Sequence, residues 1–316
     1  MLKRLVVLLL VIFSLSFIFI IFIYKPLVEE KPKITVVLKD LNSEYWRIVE
    51  AGLRDGFQDF GIEGKIIAPN NLSFLEQVEL LESILIEKPD ILIISPMYPD
   101  YSIPILERFI EKDIPVVLLD TDHQWENKTT YIGTDNVALG RIAGTLLGSQ
   151  LQPGSEVAII GVDLYSPDAS EQIKGAKLSL EAVGIKIVAE KVNIYSETMI
   201  VKKEIERILE NHPKVKGLIA TNDELALAAF EVIEKYGFKL PIIGADGMND
   251  MIKLIEEGEL PGTVAQNPYD MGYLSVETVK KVINGENVEK HIDSGVDIII
   301  KGNAKQRLEF QKRLLK

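Results

Sequence analysis

Residues 217–247, GLIATNDELALAAFEVIEKYGFKLPIIGADG, constrain the fold more than any other stretch of this chain. Gly-Leu-Ile-Ala is an apolar run too short for a helix and bounded by turn residues, so it reads as a buried strand. Thr221-Asn222-Asp223-Glu224 reads as a helix start, with Asn or Asp as cap and acids in the first turn. Apolar residues at helical spacing follow as far as Tyr236, and Gly237 stops the helix. Pro241-Ile-Ile opens the next strand, which ends in Gly244-Ala-Asp246-Gly247. In a parallel α/β sheet, ligands bind outside the carboxyl ends of the strands. Asn222 and Asp246 stand just past two such ends.

The same phrase recurs along the chain. Strands are expected at residues 34–38, 65–68, 91–94 and 115–119, with helices ending near residue 60 and spanning about 75–87 and 103–112. A second round begins at 131–136 and continues with a helix over about 137–150 and strands at 157–160 and 186–192. A helix over 250–257, a strand and turn at 262–268, a helix over about 271–283 and one extended segment at 291–300 complete it. Alternating strands and helices predict the α/β class, here two doubly wound lobes with parallel sheets.

A third element precedes the lobes. Residues 5–24 carry no charge, and Lys3 and Arg4 stand before them. About 20 apolar residues suffice to cross a bilayer. Residues 1–24 therefore read as an N-terminal transmembrane helix, with Lys3 and Arg4 in the cytoplasm and the rest outside. The run ends in Phe-Ile-Tyr-Lys-Pro without a small-residue cut site, which favours an uncleaved anchor; a cleaved signal and a soluble product are the alternative. Residues 25–33 read as a short extended tether.

Several chemistries are excluded. A net charge of -12 argues against a nucleic-acid surface. The chain has no Cys, hence no disulfide, thiolate catalysis or Cys-based zinc site. No G-x-S-x-G elbow, P-loop or G-x-G-x-x-G is present. His123, His212 and His291 are scattered without metal-ligand spacing; Asp120, Asp122 and His123 could be drawn together as metal ligands, a minor alternative. The expectation is a binding protein with no cofactor, no metal and no enzymatic activity.

What collects at the strand ends is a set of amides, carboxylates, hydroxyls and flat rings. Asn42, Ser43, Tyr45 and Trp46 follow the first strand, Ser95 the third and Asp120 the fourth; Asn222, Asp246 and Gln266 follow strands of the second half. Each has an ordinary reading: Asn222 as a helix cap, Asp246 as a turn residue, Tyr45 and Trp46 as helix packing, Asp120 as a strand terminus. Together, at equivalent ends of successive units, they suit a polyhydroxylated ring, whose hydroxyls need fixed partners and whose C–H faces need aromatic surface.

These residues carry a resemblance. Asn42-Ser-Glu-Tyr-Trp46 with Gly52, Ile114-Pro-Val-Val-Leu-Leu-Asp120, Gly133-Thr-Asp-Asn136 with Gly140, Thr221-Asn222-Asp223, Gly244-Ala-Asp246-Gly247 and Ala265-Gln266-Asn-Pro268 stand in one order over residues 33–301. In that order the chain resembles the type I periplasmic binding proteins, the ribose- and galactose-binding-protein-like receptors that feed ABC transporters. The resemblance implies two lobes joined by three hinge segments near Thr134, Asn267 and Ser294. It assigns residues 33–134 plus 267–294 to an N-terminal lobe, 135–266 plus 295–301 to a C-terminal lobe, and 302–316 to a C-terminal tail. It implies a ligand in the cleft, stacked by Tyr45 and Trp46, with Asp120, Asn222, Asp246 and Gln266 on its hydroxyls and Tyr195 near another aromatic position. It also implies two ligand-binding arginines, but Thr121 and Gln172 stand there. Ribose itself is thereby put in doubt, though the sugar class is not.

The expected function is an extracytoplasmic receptor that delivers a neutral monosaccharide or polyol to an ABC permease. The same fold used as a sensor for a signalling partner is one alternative. A LacI-type effector domain is another, but a hydrophobic span occupies the place of its DNA-binding head. Neutrality follows from charge: Asp120 and Asp246 bring carboxylates to the cleft, and burying an anion against them without a partner cation is costly. Lys39 is the one nearby cation that could reach the pocket.

Overall fold

The first apolar run becomes β1 (Lys33–Val37), buried at every residue but the first. The computed structural model describes residues 32–70, 73–161, 167–192 and 198–315. After β1 come α1 (Glu44–Phe60), β2 (Glu63–Ile67), α2 (Phe74–Glu87), β3 (Ile91–Ile94), α3 (Pro99–Ile110), β4 (Val116–Leu119) and β5 (Thr130–Gly133). The second round is α4 (Asn136–Gly148), β6 (Glu156–Ile160), α5 (Pro167–Ala182), β7 (Lys186–Lys191), α6 (Thr198–Asn211), β8 (Val215–Ala220), α7 (Asp223–Lys235), β9 (Ile242–Ala245), α8 (Asn249–Glu257) and β10 (Gly262–Gln266). The chain ends with α9 (Pro268–Ile283), β11 (His291–Asp293), β12 (Val296–Ile299) and α10 (Ala304–Leu314).

Two six-stranded sheets result, in the orders β11-β5-β4-β3-β1-β2 and β12-β10-β9-β8-β6-β7. Strand for strand the two orders are the same. The first sheet is parallel throughout; in the second, only β12 runs antiparallel, against β10. β3 and β4 are buried at every position, as a sheet covered on both faces requires. In the first lobe, α1 and α9 pack on one side and α2 and α3 supply the other core. In the second, α4 and α5 form one core and α6, α7, α8 and α10 the other.

The chain passes between the sheets at 134–135, at 267 and at 294–295. These crossings are hydrogen-bonded to one another. The Ser294 N–H donates to Gly133 O at 2.7 Å, and Asn267 Nδ2 donates to Ser294 O at 3.4 Å. The expected single extended segment at 291–300 is broken here, because Gly295 takes φ 74° and sends the chain into the other sheet.

Two other differences have local causes. α3 starts a turn earlier than expected, with Pro99 in its first turn, where a missing N–H costs nothing. Residues 304–314, within the expected tail, form α10. Ala304, Leu308 and Gln311 are buried on one face of it, and Gln311 Nε2 donates to Gly247 O at 2.8 Å. The expected anchor, residues 1–24, and the tether as far as residue 31 lie outside the described residues. Among the described residues no helix is long and apolar enough to cross a membrane.

Candidate functional site

The carboxyl ends of both sheets face a cavity of about 510 Å³ between the lobes. From the first lobe it is lined by Lys39, Ser43, Glu44, Tyr45, Trp46 and Asp120; from the second, by Asp168, Gln172, Asn222, Glu224 and Asp246 among others, with Gln266 at a crossing.

Asp120 and Asp246 are built alike. Each directly follows the fourth strand of its lobe, with φ 67° and 94° respectively, a left-handed conformation rare outside glycine. Each N–H donates to the neighbouring strand: Asp120 to Ile132 O at 2.9 Å, Asp246 to Val264 O at 3.2 Å. The turn lifts both carboxylates off the strand line into the cavity. Such strain persists where the surroundings over-determine it, commonly at binding sites.

In the first lobe, Lys39 Nζ donates to Asp120 Oδ2 at 2.9 Å and to Thr121 Oγ1 at 2.6 Å. It also lies 5.5 Å from the centroid of the Trp46 ring. Burial alone would lower its pKa, but the carboxylates of Asp120 and Asp168 outweigh that and raise it. Tyr45 Oη donates to Asp120 Oδ1 at 2.7 Å and lies 3.3 Å from Gln266 Oε1. Burial, and then Asp120, push its phenol well above the ordinary range, so it remains a donor.

The Tyr45 and Trp46 rings meet edge to face, with centroids 5.2 Å apart and planes at 81°. Both residues line the cavity. Trp46 offers a ring at the cavity wall, whereas Tyr45 contributes a hydroxyl that orients Asp120.

In the second lobe, Gln266 Nε2 donates to Asp246 Oδ1 at 2.8 Å, and Gln266 Oε1 accepts from Thr134 Oγ1 at 2.8 Å. Two crossings and a site carboxylate are thus one network. Asn222 Oδ1 caps α7 by accepting from the Leu225 N–H at 2.8 Å, and the residue also lines the cavity. Asp223 is fully buried and pins the loop after β9: Thr263 Oγ1 donates to its Oδ1 at 2.9 Å and the Met248 N–H to its Oδ2 at 2.6 Å. Burial, then Asp246, hold its carboxyl well above the usual range.

Contacts among the described residues also cross the cleft. Thr121 Oγ1 donates to Asp168 Oδ2 at 3.0 Å, and the Asn249 N–H donates to Glu44 Oε1 at 2.9 Å. Asp168 also accepts from Asn136 Nδ2 at 3.3 Å, and Asn136 Oδ1 accepts from Gln172 Nε2 at 2.8 Å. Asp168 did not emerge from the sequence. The available signal was its spacing, four residues before Gln172 on one helical face.

The remaining described candidates, Asn42, Ser95 and Thr121, are not among the residues lining the cavity. Ser95 and Thr121 are buried behind Asp120, with Ser95 Oγ 3.5 Å from Asp120 Oδ2. Asn42 is exposed, and its N–H donates to Asp40 Oδ1 at 2.7 Å. Tyr195 lies outside the described residues. Asp122, weighed as a metal ligand, pairs with Lys128. Among the described residues no His, Cys, Asp and Glu cluster could hold a metal.

Burial, only partly opposed by Lys39, pushes Asp168 up to about 7; burial, opposed by Gln266 and reinforced by Asp120, does the same to Asp246. Both carboxyls start from an ordinary value of 3.8. A raised carboxyl favours folding while protonated. Its contribution is full below the unfolded value and is lost as the pH rises through about 7. The ligand-free protein is therefore expected to melt at a higher temperature at about pH 6 than at about pH 8, a difference that differential scanning calorimetry reads. An equal or reversed order would contradict the burial of these two groups.

Comparison with known proteins gives one answer. A sequence model of the periplasmic binding protein domain matches residues 34–287. The ribose import binding protein RbsB of Haemophilus influenzae is 25% identical over 269 residues, covering 84% of this chain and 90% of that protein. The D-allose-binding periplasmic protein of Escherichia coli is 26% identical over 249 residues, covering 75% of this chain and 80% of its own. Among solved structures, GanP, a glucose-galactose binding protein from Geobacillus stearothermophilus, matches with a TM-score of 0.81 at 27% identity, over 87% of this chain and 99% of that one. On this match, with two parallel-sheet lobes and a cavity between them, the chain belongs to the periplasmic binding protein domain family.

Proposed function

We propose that this protein is an extracytoplasmic receptor that captures a neutral monosaccharide or polyol between its lobes and delivers it to an ABC importer. The observation that carries the proposal is the cavity itself. Its size lies within the range of small-molecule sites, and both lobes line it with hydroxyl-binding groups: Asp120 from one, Asn222 and Asp246 from the other, with Gln266 at the crossing. The relatives named for ribose import and for allose and glucose–galactose binding support a sugar as the ligand. Trp46 would cover one C–H face, and the carboxylates would accept from hydroxyls. A sugar acid or sugar phosphate would meet Asp120 and Asp246 with only Lys39 as counter-ion.

A ligand that touches both lobes must favour the closed arrangement, since only that arrangement makes both sets of contacts. Small-angle scattering of the protein with and without a saturating sugar is expected to show a smaller radius of gyration with it. An unchanged radius at saturation would argue against closure on a ligand.

Family membership implies an extracytoplasmic location. Residues 1–24 would supply the anchor and 25–33 the tether. Nine residues of tether reach roughly 30 Å when extended, which would keep the lobes near the bilayer and the permease. The full-length protein is expected in the membrane fraction with its bulk open to external protease; a soluble mature form starting near Lys31 would reject the anchor.

A further inference from the structure

The cleft carries more negative charge than hydroxyl recognition needs. Among the described residues, Glu44, Asp120, Asp168, Glu224 and Asp246 line the cavity against a single lining cation, Lys39; Asp250, also on the wall, pairs with Lys253 at 2.7 Å. Lys39 is committed to the first lobe, where it bonds to Asp120 and Thr121 beside the Trp46 ring.

Across the cleft, Asp168 receives only a hydroxyl, from Thr121, and an amide, from Asn136, among the described hydrogen bonds. Its carboxyl is pushed up to about 7 by burial, which Lys39 opposes only in part. Beside it on the same helical face stands Gln172, 6% exposed and lining the same cavity. Gln172 Nε2 is used on Asn136, while its Oε1 has no hydrogen-bond partner among the described residues. Among the described residues, a buried acceptor without a donor and a half-buried carboxylate without a paired cation thus stand on one wall.

A sugar hydroxyl supplies one donor and no charge. An ammonium supplies three donors and a full charge, which a site closed from water rewards most. The opposite wall already shows the fit, because the Lys39 ammonium sits between a carboxylate and an aromatic face.

We infer that the preferred ligand is a polyhydroxylated amine, a sugar or polyol with a protonated amine in place of one hydroxyl, and that Asp168 with Gln172 receives the amine. This rests on the proposed function, a receptor for a polyhydroxylated ligand, and replaces its uncharged ligand with a cationic one. Asp246, Asn222 and Gln266 keep the hydroxyls.

The test is titration calorimetry of the full chain at neutral pH against matched pairs: glucose and glucosamine, galactose and galactosamine, mannose and mannosamine. N-acetylglucosamine serves as the uncharged nitrogen control. In at least one pair the amine is expected to bind about tenfold or more tighter than its hydroxyl parent, from one hydrogen bond to a charged group. The acetylated control is expected to lose that gain, and Asp168→Asn to shrink the amine-to-parent ratio. If the parents bind and no amine exceeds its parent, the amine inference falls while the sugar receptor stands. If no sugar or amine of the panel binds, both fall.

Discussion

Asp246→Ala is expected to weaken sugar binding tenfold to a hundredfold while the protein still folds. Asp246 is held in the cavity by its φ of 94°, by its N–H on Val264 O and by Gln266 Nε2 on its Oδ1. A hydroxyl bonded to this carboxylate loses a charged acceptor in the variant. Such a bond contributes about 1.5–3 kcal/mol, which corresponds to roughly a tenfold to hundredfold change in affinity. Stability changes less, because two effects oppose. Alanine at this φ is strained, but the variant also removes a carboxyl that burial pushes up to about 7. Titration calorimetry on folded, melt-checked protein reads the loss, and a variant that binds as tightly as wild type would take Asp246 out of the site.

Gly140→Val is expected to cost about 3 kcal/mol of stability and to lower the melting temperature by roughly 6–12 °C. α4 and α5 approach so closely that a Cβ at residue 140 would lie 1.9 Å from Gln172 O. That atom is backbone, so no rotamer change relieves the clash and the helices must part. Parting them opens the core formed by Leu139, Ala143, Ile173 and Ala176. It also shifts the turn of α5 that carries Asp168 and Gln172, so ligand affinity should fall with stability. The first lobe uses the same device, where a Cβ at Gly52 would lie 2.0 Å from Tyr269 O. Thermal denaturation followed by circular dichroism checks the prediction; a melt within a degree or two of wild type would contradict the close approach.

The two-lobe fold was legible because its signals are local. Short apolar runs ending in turn residues, each followed by a helix-spaced segment, suffice to mark β8, α7 and β9 and their counterparts. The strand-end groups were legible for the same reason, since Asn222, Asp246 and Gln266 follow runs that cannot be anything but buried strand. What depends on packing between distant segments was not. Asp168 belongs to a helix start after Pro167 that carries no ligand signal of its own, and only the packing of the two lobes brings it to Thr121. The hydrogen bond from Tyr45 to Asp120, 75 residues away, likewise has no local signal. α10 hid behind its charge: Ala304, Leu308 and Gln311 keep helical spacing, yet only two of them are apolar.

The central claim is that a sugar's hydroxyls, rather than an acidic group, are held between the lobes by the strand-end carboxylates and amides. It is tested most directly by titrating wild type, Asp246→Ala and Lys39→Ala against monosaccharides, polyols, sugar acids and sugar phosphates. The expected result is binding of at least one ligand without an acidic group, weakened tenfold or more by Asp246→Ala. Tight binding confined to a sugar acid or phosphate, abolished by Lys39→Ala and indifferent to Asp246→Ala, would contradict it.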